Sequence, residues 1–207
     1  MTQSQKYRSV LVKYVPAEFI DPAVQLLLNH PVVFKVVKPR KTKLGDFRAG
    51  RDGAKHQITV NGNLNPYAFL ITTVHEFAHL ITFNLYGPRV KAHGTEWKKT
   101  YASLLLPYIE SGHLPKDIEE VLMNSLINVK ASSCTDIHLQ RVLMKYDTTV
   151  KDTLSLEALE KNSTFALNGK HFTKGVLRRT RYLCTEVKTN KQYLVNALAQ
   201  VTLVNHE

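Results

Sequence analysis

The longest run of mostly apolar residues lies in the first half of the chain, at residues 67–85. Twelve of its 19 positions are apolar, so the pattern predicts a helix that is buried on most sides. Asn65-Pro66 provides an N-cap followed by a proline in the first helical position, and Gly87-Pro88 ends the helix. We therefore expect a central helix in the core of the protein.

Short segments before this helix have the patterns of one helix and three strands. Residues 16–29 are predicted to be helical, and the runs 32–38, 43–47 and 56–60 have strand character. Asp52-Gly53 is a typical hairpin turn between the last two strands. The pattern predicts a small antiparallel meander, with the third strand at an edge, next to the long helix.

The second half of the chain changes from helical to strand-like patterns. Helices are predicted near residues 95–107, 115–128 and 138–146, and strands at 165–172, 176–184 and 192–198, the first broken by an Asn168-Gly169 turn. The fold class is therefore α+β. We predict one domain at residues 1–130 and a small β-rich appendage at 131–207.

Composition narrows the class of protein. The chain has 207 residues, 43% hydrophobic and 22% charged, which argues against a disordered chain or a coiled coil. Its two cysteines fit a reducing compartment, and the N-terminal residues have no signal-peptide pattern. Histidines and a glutamate in the long apolar run argue against a membrane span. We expect a cytoplasmic monomer with no membrane partner.

A polar stripe on the long helix carries the candidate chemistry. Thr72, His75, Glu76, His79 and Thr82 are spaced three or four residues apart and share one face. An ionisable stripe on a buried helix needs partners, and a bound dication would provide them. The alternative is a pair of core-lining histidines with an ion-paired glutamate.

This stripe contains the motif HExxH. Histidines at positions i and i+4, here His75 and His79, can bind one zinc ion from adjacent turns of a helix. The intervening Glu76 would lie beside the metal, where a carboxylate can accept a proton from an attacking water. A third ligand is required; His93 is the best candidate after the helix ends, and Glu96 is its rival. Trp97 is expected to pack in the core.

The segment 58–99 resembles the SprT-like metallopeptidases, a family that includes the eukaryotic DNA-dependent protease Spartan. The resemblance rests on the strand ITVN, the run NPYAFLITTVHEFAHL and the later AHGTEW, and extends more loosely to RTRYLCTEVKTNKQYLV. It implies a zincin-like core in which His75, His79 and His93 bind one catalytic zinc ion (Zn2+) and Glu76 is the general base. It also implies hydrolysis of protein or peptide substrates, including DNA-associated proteins.

The cysteines depart from that family's pattern. Many SprT-like chains end in a zinc ribbon with paired cysteines, whereas Cys134 and Cys184 here each lack a CxxC partner. We expect a ribbon-like appendage without metal. The alternative is a second metal site that joins both cysteines to His138 and His171.

The charge points to a polyanionic partner. The net charge is +11, and residues 35–55 hold eight Lys/Arg against two Asp, while residues 168–191 hold seven against one Glu. An ordinary solvated basic surface is the alternative. We expect DNA, preferably single-stranded, to bind at Lys38, Arg40, Lys41, Lys43, Arg178, Arg179 and Arg181. If residues 176–184 form one strand, Arg178 faces away from Arg179 and Arg181.

The sequence is compatible with two functions. The first is a zinc metallopeptidase. The second is a basic nucleic-acid-binding module whose metal site is structural or idle. Glu76 favours the first, because a purely structural site has no use for a base next to an open coordination position.

Overall fold

A computed structural model of the chain describes residues 1–40, 42–127, 136–148 and 153–204. It has the α+β composition predicted from the sequence and divides into two compact units, residues 1–147 and 148–207. The predicted domain boundary at residue 130 falls in the segment 128–135, outside the described residues. Within the described ranges, no helix combines the length and the apolar character needed to cross a bilayer.

The first unit contains six helices in its described residues: α1 (Gln3–Leu11), α2 (Ile20–Asn29), α3 (Pro66–Tyr86), α4 (Thr95–Glu110), α5 (Lys116–Ile127) and α6 (Ile137–Met144). Helix α1 is absent from the sequence-based prediction, although Thr2 and Gln5 cap it reciprocally. Helix α4 continues through Pro107, to Glu110.

Helix α3 lies in the core, as predicted. The Asn65 side chain accepts a hydrogen bond of 2.9 Å from the amide of Ala68, and Pro66 takes the first helical position. Gly87 ends the helix with a φ of 80°, in the left-handed region that favours glycine. Thirteen of its residues are buried, so its position is fixed from several sides.

The sheet of the first unit consists of β1 (Val33–Val37), β2 (Gly45–Arg48) and β3 (Gln57–Asn61) in the order β1-β3-β2. Strand β1 is parallel to β3, and β2 is antiparallel to it. The predicted meander is therefore wrong, and so is the prediction that the third strand is an edge. Strand β3 is the most buried of the three, with Ile58 and Val60 fully enclosed, and it takes the central place.

The described residues of the second unit form β4 (Leu154–Ser155), β5 (Thr164–Leu167), β6 (Lys170–Arg178), β7 (Arg181–Glu186), β8 (Gln192–Asn196) and β9 (Gln200–Leu203). These six strands make an antiparallel sheet in the order β4-β9-β5-β6-β7-β8. Asn168 and Gly169 both have positive φ, which confirms the predicted hairpin turn. The stretch 176–184 is not one strand, because Arg179 adopts a φ of 58° and reverses the chain.

Cys184 is a buried, free thiol in the core of this second unit. It lies opposite Lys174 in the register of β6 and β7, whereas His171 of β6 pairs with β5. Cys134 lies outside the described residues, so the alternative site with two cysteines stays untested. Residues 148–207 contain this single cysteine, which is too few for a paired-cysteine knuckle within the unit.

Candidate metal centre

Three histidine side chains converge at one point in the first unit. His75 and His79 lie one turn apart on α3, and His93 comes from the loop between α3 and α4. The distances between their Nε2 atoms are 3.2 Å (His75–His79), 3.0 Å (His79–His93) and 3.1 Å (His75–His93). Among the described residues, this is the cluster of ligand atoms that could hold a metal ion.

The donor set fits a zinc ion. Imidazole nitrogens bound at about 2.0–2.1 Å around a tetrahedral ion lie about 3.3–3.4 Å apart, close to the spacings of this cluster. A ring nitrogen of a neutral imidazole either carries the proton and donates or lacks it and accepts, so three Nε2 atoms that face one another cannot form a closed ring of hydrogen bonds. A cation at their centre resolves that conflict.

The protonation of the three rings suits metal binding. Burial, followed by the proximity of His79 and His93, lowers the pKa of His75 to about 3. Burial and then His93 lower the pKa of His79 to about 4, and burial lowers the pKa of His93. All three rings are therefore neutral near pH 7, the form in which imidazole binds metals.

His93 reaches the cluster through an unusual backbone conformation. Its φ is 58°, in the left-handed region that non-glycine residues rarely adopt. Such a conformation costs about 1–3 kcal/mol and often marks a functional site. Gly94 follows with no room for a side chain, since a Cβ there would lie 2.9 Å from the carbonyl oxygen of Lys91. Glu96, the rival ligand, is not part of the cluster.

An aromatic pair lies under the three histidines. The Trp97 ring centroid is 4.7, 5.2 and 4.6 Å from those of His75, His79 and His93, and Trp97 stacks on Tyr101 at 4.9 Å. Trp97 is 2% exposed, which confirms that it packs in the core. It restricts the rotation of all three rings, because each would collide with it.

Glu76 occupies a buried position where α3 meets β2. It is 5% exposed, and its carboxylate accepts a hydrogen bond from the backbone N–H of Phe47. Burial raises the pKa of Glu76 to about 8, with a smaller contribution from the negative charge of Asp46. A carboxyl group of this kind can both accept and return a proton near neutral pH.

Part of the predicted basic DNA-binding surface lies close to Glu76 and already has protein partners. Arg40 donates to the Asn61 and Thr59 side chains of β3 at 2.9 Å each, and Lys43 binds Asp46 at 2.7 Å. The positive charges of Arg40 and Lys43 lower the pKa of Glu76, in opposition to burial. Lys38 is exposed, and Lys41 lies outside the described residues.

Gly45 permits the close approach of β2 to α3. A Cβ at this position would lie 2.5 Å from Glu76 Oε1, 2.7 Å from Glu76 Cγ and 2.8 Å from Thr72 Cγ2. The chain therefore needs glycine here to place Glu76 against the strand. Gly45 and Phe47 are not among the site residues predicted from the sequence. The one sign of their role in the sequence is the glycine inside a predicted strand, which can mark a close approach of another group.

We expect Gly45→Ala to displace Glu76 and to destabilise the protein by about 1–3 kcal/mol, the usual cost of an added methyl group in a packed core. Urea unfolding measures the loss. Arg48→Ala in the same strand is the control; the Arg48 side chain is 65% exposed where it pairs with Asp46, and Asp46 keeps its ion pair with Lys43, so the loss of Arg48 should cost less than about 1 kcal/mol. Equal stability of Gly45→Ala and the parent protein would contradict the tight packing at Gly45.

The three arginines of the second unit lie together at the tip of a hairpin. Arg178 and Arg181 are direct cross-strand partners in β6 and β7, so they share one face of the sheet, and Arg179 forms the turn between them. All three are exposed. The expectation that Arg178 faces away from Arg181 is therefore wrong, because the chain reverses between them.

The segment that contains the three histidines is similar to known proteins. Residues 27–110 match the family model described as SprT-like. The protein SprT of Vibrio parahaemolyticus serotype O3:K6 (strain RIMD 2210633) is 47% identical over 53 residues, which are 24% of this chain and 32% of that protein. The chain thus matches about a third of the length of this curated relative. No solved structure matches the chain.

Proposed function

We propose that this chain, whose residues 27–110 match the SprT-like family model, is a zinc-dependent metallopeptidase that hydrolyses peptide bonds in protein substrates. One observation carries the proposal: three imidazole Nε2 atoms converge within 3.2 Å, and the carboxylate of Glu76 comes from the same helix, next to His75. A structural metal site would need the histidines but not the acid.

In the proposed reaction, the metal ion and the side chains of the protein have different tasks. His75, His79 and His93 would hold the zinc ion, which would supply the Lewis acidity for a scissile carbonyl and an attacking water. The chain holds the three rings in place through Trp97 and keeps them neutral by burial. Glu76 in its carboxylate form accepts a proton from the attacking water and then delivers it to the leaving amine.

The substrate is proposed to add to the open edge of β2. The backbone N–H of Asn61 donates to the carbonyl of Leu44. In an antiparallel pair only every second residue bonds to the partner strand, so the backbone N–H and C=O groups of Gly45 and Phe47 point away from β3. The Phe47 amide is used by Glu76, which places the candidate base at this edge. Main-chain pairing tolerates many side chains, so we expect the protein to cleave at many sequences.

The proposal is tested by loading the full chain with zinc, incubating it with an unstructured protein such as casein, and identifying new termini by mass spectrometry. New termini that depend on zinc support the proposal. A protein that holds one zinc ion and produces none would instead be a binding module, the second candidate.

The second unit favours DNA as a further partner, also as a proposal. Arg178, Arg179 and Arg181 concentrate three exposed cations at one hairpin tip. Arginines at this density neutralise phosphates without reading the bases. Affinity should therefore depend little on sequence and fall steeply with salt.

We expect the double variant Arg178→Gln/Arg181→Gln to weaken binding of single-stranded DNA at every sequence. The slope of log affinity against log salt should decrease by about 2, since each phosphate contact contributes about 1. Fluorescence anisotropy at several salt concentrations measures this. Lys188→Gln/Lys191→Gln, which removes two exposed charges at the opposite end of β7, is the control. Equal loss in both variants would indicate general charge attraction instead of a hairpin site.

A further inference from the structure

A small cavity lies directly beside the metal centre. Its volume is about 110 Å³, and His79 of the histidine cluster forms part of its wall. The other walls come from β2, α3, the loop that carries His93, and the first turn of α4. The residues that matter most for its shape are Phe47, Thr82, Phe83, Val90, Lys91 and Trp97.

The lining of this cavity is mainly apolar. Phe47, Phe83, Val90 and Trp97 form its walls, together with Pro88 and Ala92. Its polar groups are His79, Thr82 and Lys91, and Lys91 is exposed. None of the described residues that line it is acidic, so a lysine or arginine side chain would find no counter-charge among them.

The aromatic wall is held in place from behind. The Phe47 and Phe83 ring centroids are 5.8 Å apart, and His56 contacts both, at 5.8 and 5.4 Å. The His56 ring is itself fixed by a hydrogen bond of 3.0 Å from the amide of Gly50 to Nδ1. The cavity is therefore formed before any ligand arrives, which reduces the entropic cost of binding.

The size of the cavity limits what can enter. Pockets for whole small molecules have volumes of about 300–1,000 Å³, well above this one. A cavity of about 150 Å³ holds one benzene ring, so this one, at about 110 Å³, has room for fewer atoms than a six-membered ring. That suits the side chain of valine, leucine or isoleucine better than the larger side chain of phenylalanine or tryptophan.

The cavity lies between the proposed docking edge and the metal centre. Phe47 belongs to β2, whose open edge is the proposed docking edge, and His79 belongs to the metal centre. Side chains of an extended peptide alternate between two faces, so one residue near the metal faces the protein while its neighbours face solvent. Because Phe47 and His79 both line the cavity, it lies between the docking edge and the metal centre, within reach of such a side chain.

We propose that this cavity binds one aliphatic side chain of the substrate, from a residue next to the scissile bond, and so gives a preference for valine, leucine or isoleucine there. The cleavage part of this inference rests on the proposed peptidase function; the binding part does not. Main-chain pairing along β2 would still permit many sequences on either side of that residue.

Binding can be measured without turnover, because Trp97 is the one tryptophan of the chain and lines the cavity. Blocked tripeptides acetyl-Gly-X-Gly-amide, with X as Gly, Ala, Val, Leu or Phe, are titrated into the zinc-loaded full chain while tryptophan emission is recorded. We expect the Val and Leu peptides to bind at least tenfold more tightly than the Gly peptide, and more tightly than the Phe peptide. Equal affinity across the series would overturn the proposal.

Two substitutions at Val90 then locate the effect. Val90→Phe should fill the cavity and reduce binding of the Leu peptide at least tenfold, with the Gly peptide unchanged; Val90→Ala should enlarge it and improve binding of the Phe peptide. Leu85→Phe adds the same bulk at a 67% exposed position outside the cavity and should change neither. A Leu preference that survives Val90→Phe would place the binding elsewhere and overturn the proposal.

Cleavage-site profiling separates this inference from the proposed function. If the parent protein cleaves, valine, leucine and isoleucine should be enriched at one position next to the cut, and Val90→Phe should remove the enrichment. Cleavage without that enrichment overturns the inference and leaves the peptidase proposal intact. Selective binding of the Leu peptide without any cleavage supports the cavity and contradicts the peptidase proposal.

Discussion

Glu76→Gln is expected to abolish peptide-bond hydrolysis while zinc remains bound. The amide has nearly the shape of the carboxylate, and its oxygen can still accept the hydrogen bond from the Phe47 amide, but it cannot take a proton from water. Loss of a general base usually costs about 10²–10⁴-fold in rate, so activity should fall to near the background. Initial cleavage rates at equal zinc content measure the effect.

Glu96→Gln is the matched control for this substitution. Glu96 is the other glutamate near the centre, on the first turn of α4, and it is not part of the histidine cluster. Its amide variant should cleave at the parent rate. If Glu76→Gln cleaved as fast as the parent protein, the base would have to be another group.

His79→Ala is expected to reduce the affinity for zinc, and for Co2+ as its substitute, by more than about 100-fold, since mutation of a residue that only supports a metal ligand already costs about 10–100-fold. The result follows from geometry: the Nε2 atom of His79 lies 3.0–3.2 Å from those of the other two rings, and two remaining ligands bind weakly. Titration with Co2+ while Trp97 emission is recorded gives the affinity, because the indole contacts all three rings.

His171→Ala is the control for the metal titration. His171 is an exposed histidine of β6, so its loss should leave the Co2+ affinity of the centre unchanged. If His171→Ala lost metal and His79→Ala did not, the second unit would hold the metal instead.

The central helix and the two histidines of its motif could be predicted because their determinants are local. Asn65-Pro66 and Gly87 fix the ends of α3, and a spacing of four residues brings His75 and His79 to one face whatever the rest of the fold does. His93 was harder to select, since residues 87–94 have no regular pattern. The left-handed backbone of His93 could not be predicted either, because glycine is the residue usually found in that conformation.

The arrangement of the strands could not be predicted, because pairing between strands is not local. Three strand-like runs joined by short segments favour a meander, but β1 pairs with β3 across an interval that contains β2. The close contact of Gly45 with Glu76 depends on that arrangement and so was hidden as well. In the second unit, the turn at Arg179 lacks glycine and asparagine, which is why residues 176–184 resemble one strand.

The most direct test of the peptidase proposal is the number of new peptide termini that the full chain generates from casein, measured without metal, with one equivalent of zinc, with excess chelator, and again after zinc is restored. The proposal predicts termini that appear with zinc, disappear with chelator and return when zinc is restored. A chain that binds one zinc ion at His75, His79 and His93 and generates no termini in any condition would contradict it.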